Sequence, residues 1–139
     1  MTMALIFGRV LEAGIGSAGI ANSLSGLALP SWFVIACVIG IITMASLVGV
    51  HQLVSIIVVL IIVIPMETGV SAIVLLQATL VGWAFASIVG ITAVSTAAAS
   101  NMFAVPRSKL AFGPNLRFVS VFGAMAVLCL SAANAFLFT

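Results

Sequence analysis

One histidine sits within the longest uncharged run of the chain. His51 lies in VGVHQLVS at 48–55, with Gly49, Gln52 and Ser55 close by, and the surrounding run 31–64 holds no Asp, Glu, Lys or Arg. An ionisable side chain in such a run is costly in lipid and usually has work to do. An imidazole can take up a proton near neutrality or hydrogen-bond a solute. It can equally serve as a neutral cap for backbone at a turn. A second polar cluster follows at 90–101, GITAVSTAAASN, with Gly90, Thr92, Ser95, Thr96 and Ser100. Where a helix is broken, hydroxyls and freed carbonyls can coordinate a cation, and the next half-helix can aim its N-terminus at an anion. The alternative is a face of small residues that packs helices together.

Other chemistry is poorly supplied. There is one His, and the two carboxylates, Glu12 and Glu67, are both remote from it in sequence. That set supports neither a catalytic triad nor a metal cage. The glycines of 8–19 lack the Lys-Ser/Thr that completes a phosphate loop. Cys37 and Cys129 each sit in an apolar run and read as small buried hydrophobes of unassigned role. No enzyme activity, cofactor or metal is expected.

Composition decides what positions these residues. The chain has 139 residues, 65% hydrophobic and 4% charged. Soluble domains carry about 25% charged residues. Four cations and two anions cannot clothe a water-facing surface, so lipid is the expected solvent. A net charge of +2, with no basic run, excludes nucleic acid as a partner. Arg9 is soon followed by Glu12 and a small-residue stretch, so the N-terminus does not read as a signal peptide, and 1–139 is taken as the mature chain.

The expected fold is all-α, a single transmembrane domain of about three spanning helices plus a hairpin. A first helix covers 3–28, where Gly8, Gly16 and Gly19 suggest a packing face and Arg9 and Glu12 can pair. The run 31–64 would make a helix about 51 Å long, well beyond a hydrocarbon core of about 30 Å. It is therefore read as a re-entrant helical hairpin with its polar tip at 48–52. PMETG at 65–69 is a surface loop kept in water by Glu67. A broken helix spans 70–103, a loop 105–115, and a last apolar helix 116–138. Arg107, Lys109 and Arg117 form the only cationic cluster. The positive-inside rule puts that loop in the cytoplasm and the C-terminus outside. Those cations are read as topology determinants that meet lipid headgroups.

The order of hairpin, broken helix, cationic loop and helix resembles half of a secondary transporter. VGVHQLVS at 48–55, GWAFASIVGITAVST at 82–96 and PNLRF at 114–118 resemble the C-terminal repeat of the ion transporter superfamily. That group includes the large membrane subunit of TRAP dicarboxylate transporters and the divalent anion symporters. The resemblance implies a bacterial inner-membrane permease for a small anionic solute, coupled to Na+ or H+. It implies a site built from Gly49, His51, Gln52 and Ser55 with Gly90, Thr92, Ser95 and Thr96. Such sites need two inverted repeats, so a homodimer or a second chain is expected to supply the other. The rival expectation is a non-catalytic membrane subunit packed against a larger partner, with continuous helices and no polar cavity.

Overall fold

The computed structural model describes residues 13, 29–66, 68–91 and 93–137. The helix expected over 3–28, the Arg9–Glu12 pair, Glu67 and Thr92 lie outside the described residues. Every element among the described residues is helical: α1 (Ser31–Leu47), α2 (Gln52–Val63), α3 (Ala72–Val89), α4 (Val94–Phe103), α5 (Arg107–Leu110) and α6 (Leu116–Leu137). A π-helical turn over Ala111–Asn115 joins α5 to α6, kinked at Gly113 and carrying Pro114.

Local chemistry sets the ends. The Pro30 carbonyl starts α1 by accepting from Phe33 N (2.9 Å) and Val34 N (3.2 Å). Gly49 stops it at φ +93, a conformation that glycine adopts without Cβ strain. There Gly49 N donates to Ser46 O (3.1 Å) and Val50 N to Ala45 O (3.0 Å), the paired bonds of a Schellman stop. Ser71 caps α3, its Oγ accepting from Val74 N at 3.2 Å. The segment 105–115, expected as a loop, is largely helical. Pro106 sits at the N-cap of α5, where its missing N–H costs nothing, and the bend at Gly113 absorbs the change of direction.

Helix α1 is the hub, packing on α3 most extensively and also on α2 and α6. Ile35, Val38 and Ile42 of α1 are fully buried with Val74, Ala78, Ala86 and Val89 of α3. Helices α1 and α3 run parallel. A Cβ added to Gly82 would meet Ile42 at 3.2 Å, and Ser46 Oγ reaches Ala86 O at 2.9 Å, so the same offset in sequence recurs along the contact. Gly82 thus lets two apolar helices approach closely. Helix α6 runs the other way. Gly123 faces Phe85, while Asn134 reaches Gly69 and Ser71 at the opposite end.

Two stretches, Ala72–Phe103 and Arg107–Leu137, are long and apolar enough to cross a membrane. Ser31–Leu47 and Gln52–Val63 are shorter apolar helices, of about 26 Å and about 18 Å by helical rise. The outer surface is apolar as well. Ile41 and Met44 on α1, Leu76 and Leu80 on α3, and Leu128 and Phe136 on α6 are all exposed. Helix α6 buries only Val119 and Asn134 among its described side chains. Water disfavours contiguous apolar surface of that kind, and hydrocarbon does not.

Candidate functional site

The first interruption is the α1–α2 turn. His51 is the N-cap of α2, and its Nδ1 accepts from Leu53 N at 3.3 Å. The ring nitrogen Nδ1 acts there as the acceptor for a backbone N–H of the first turn. The ring is exposed and Gln52 is half-buried. Ser55 is buried, and its Oγ has no hydrogen-bond partner. A partnerless buried hydroxyl is uncommon and marks a spot to probe.

The second interruption is the end of α3. Gly90 leaves the helix at φ −64, ψ 121. Any residue can adopt those angles, so space is what requires glycine: a Cβ there would collide with Ser46 Oγ and the Ala86 carbonyl. The last carbonyls of α3 carry the negative end of the helix dipole and can accept bonds from outside the helix, Ala86 O doing so in addition to its helical bond from Gly90 N (2.8 Å). Side chains from three different segments serve them. Ser46 Oγ of α1 donates to Ala86 O at 2.9 Å. Ser95 Oγ of α4 donates to Ser87 O at 2.5 Å. Asn115 Nδ2 from the kinked turn donates to Ile88 O at 3.0 Å. Thr96 Oγ1, 3.5 Å from Ile88 O, adds a weak fourth approach.

These bonds bring three interruptions to one level of the bundle: the end of α1, the α3–α4 break and the α5–α6 kink. Beside them lies an open cleft of about 290 Å³, lined by Ser87, Ile88, Ser95, Thr96, Ala99, Leu110 and Asn115. Of the residues singled out by sequence, Ser95 and Thr96 line this cleft and Gly90 packs beside Ser46. Gly49, His51, Gln52 and Ser55 do not line it. They connect to the break through α1, by way of Ser46. Thr92 lies outside the described residues.

Sequence reasoning missed two members of the cluster, Ser46 and Asn115. Ser46 offered only a single hydroxyl in an apolar helix. Asn115 had a better signal, a carboxamide directly after Pro114 in PNLRF. No group of three or more His, Cys, Asp or Glu among the described residues could hold a metal ion. The donors gathered here are neutral hydroxyls and an amide. Chemically the cluster can bind through hydrogen bonds and carbonyl dipoles, but it supplies no acid, base or nucleophile of perturbed strength.

No protein-family model, curated protein or solved structure matches the chain.

Proposed function

We propose that this chain is half of a membrane-embedded permease for a small anionic solute, driven by an Na+ or H+ gradient. The observation that carries the reading is the contact of Ser46 with Ala86 and Gly90, which joins the two interrupted helices side by side. Broken helices inside a bilayer are tolerated where protein or a water-filled cavity receives the freed backbone. Paired breaks of that kind are how secondary transporters build a site between rigid half-helices.

An anionic solute suits the N-terminus of α4, which starts at Ala93 without a side-chain cap and opens beside the cleft. In this reading α1 and α2 form a re-entrant hairpin whose tip holds Gly49, His51, Gln52 and Ser55. Gly90, Thr92, Ser95 and Thr96 form the other wall. A second copy, or another chain, supplies the matching inverted repeat. The segment 105–115 faces the cytoplasm of a bacterial inner membrane and the C-terminus lies outside.

The test is uptake of labelled small carboxylates into proteoliposomes, paired with cysteine labelling. His51→Cys and Ser95→Cys in a background without Cys37 and Cys129 should react with a water-soluble maleimide. A transported solute should protect both. Unreactive positions together with no uptake would sink the permease.

A second reading has an observation of its own. Ser46, Ser95 and Asn115 all direct their donors at α3 carbonyls, which seals the break instead of leaving it open to a solute. A non-catalytic subunit packed against a larger membrane protein would be built that way. It predicts no labelling at Ser95→Cys and stable co-purification with that larger chain.

A further inference from the structure

At the corner between α4 and α5, charge and exposed aromatic surface coincide. Met102, Phe103 and Phe112 are exposed there, and so are Arg107 and Lys109 between them. Helix α4 ends with Ala104 at φ 52, locked by Val105 N to Ser100 O (3.2 Å) and by Ser100 Oγ to Val105 O (2.7 Å). The corner is therefore held in shape by one backbone bond and one side-chain bond of its own.

Among the described residues its cations meet no acidic side chain. The sequence after Glu67 holds no Asp or Glu, and none occurs among the described residues. A protein fold that keeps two cations exposed beside bare phenylalanine rings suits neither bulk water nor hydrocarbon alone. It matches the boundary between acyl chains and headgroups, where rings enter the apolar side and long cationic side chains reach outward. Surface potential from anionic lipids attracts basic segments that lie at this depth.

We propose that the 102–112 corner is a docking surface for the anionic phospholipid face of a bilayer. Phe103 and Phe112 sit at the acyl boundary, and Arg107 and Lys109 pair with headgroup phosphates. The proposal rests on the membrane reading above and not on transport.

The test reconstitutes the full chain in nanodiscs of phosphatidylcholine, with or without about 30 mol% phosphatidylglycerol. Thermal unfolding is followed for the wild type, R107Q/K109Q and K109Q. Phosphatidylglycerol should raise the wild-type Tm by several degrees, and high salt should shrink the rise. R107Q/K109Q should lose most of the rise and K109Q about half of it. Each variant is compared with itself in phosphatidylcholine, so a general loss of stability does not confuse the readout. Equal Tm in both lipids, or an undiminished rise in R107Q/K109Q, overturns the proposal. A rise produced equally by inorganic phosphate in plain phosphatidylcholine overturns it in favour of a soluble phosphate ligand. Failure of the chain to enter nanodiscs at all would instead overturn the membrane reading itself.

Discussion

Ser46 Oγ of α1 donates a 2.9 Å hydrogen bond to the Ala86 carbonyl of α3, across a sequence separation of 40. Both residues are almost fully buried. The bond therefore ties the end of one interrupted helix to the end of the other, with little competition from solvent. Ala86 O also accepts from Gly90 N at 2.8 Å, so the carbonyl is not orphaned when Ser46 is lost. Ser46→Ala should cost about 1 kcal/mol of stability in SDS or thermal unfolding. It should also loosen the break, seen as faster amide exchange over residues 86–91. A variant that unfolds like wild type with unchanged exchange would show that the contact is incidental.

Gly90 is packed, not flexible. Its backbone angles suit alanine, so the penalty of Gly90→Ala is purely steric, against Ser46 Oγ and the Ala86 carbonyl. One obstacle is a side-chain tip and the other is backbone. Gly90→Ala should destabilise by about 1–3 kcal/mol, typical of overpacking. Adding Ser46→Ala should recover part of that loss and no more, because the Ala86 carbonyl stays in place. Full recovery, or none, in a double-mutant cycle would contradict the geometry.

How much of this was readable beforehand varies by residue. The helical class and the apolar character follow from composition, since six charged side chains leave few alternatives. Gly49 and Gly90 mark the helix ends because each meets a requirement that a Cβ would violate, one conformational and one steric. The pairing of Ser46 with Ala86 was not readable. Helices α1 and α3 are apolar on all sides, so no amphipathic stripe tells which face of one meets which face of the other. The helical character of 107–115 was hidden by Pro106, Gly113 and Pro114, which together read as an open loop. Pro106 stands where a helix start tolerates it, and the kink at Gly113 lets the helical turn continue. For His51, sequence left a cap and a solute contact both open, and the ring now has a defined backbone partner in Leu53 N.

That partner makes the α1–α2 turn depend on the His51 side chain as a cap. His51→Ala removes the acceptor for Leu53 N and should cost about 1 kcal/mol in unfolding. Val50→Cys in the His51→Ala background should then label faster with a water-soluble reagent, because the first turn of α2 frays. His51→Asn keeps a capping oxygen, so its labelling rate should stay near that of the wild-type turn. Equal rates in His51→Ala and His51→Asn would rule out the cap as the cause.

Asn134 clamps the opposite end of the bundle. It is buried on α6, its Oδ1 accepting from Ser71 N (2.8 Å) and its Nδ2 donating to Gly69 O (3.0 Å). One side chain thus satisfies two backbone groups at the entry to α3, next to a glycine at φ +66. Asn134→Leu removes the partner of the half-buried Ser71 N–H and of the carbonyl of exposed Gly69, at a cost of about 1–2 kcal/mol in unfolding. Asn134→Asp separates the two bonds. A carboxylate still accepts from Ser71 N but faces the Gly69 carbonyl with another acceptor, so it should destabilise as well. Asn134→Gln keeps both chemistries on a longer stem and tests position alone. The ordering expected is wild type above Gln, with Asp and Leu lowest. If Leu matched wild type, the clamp would be ornamental, and packing between α3 and α6 alone would hold that end together.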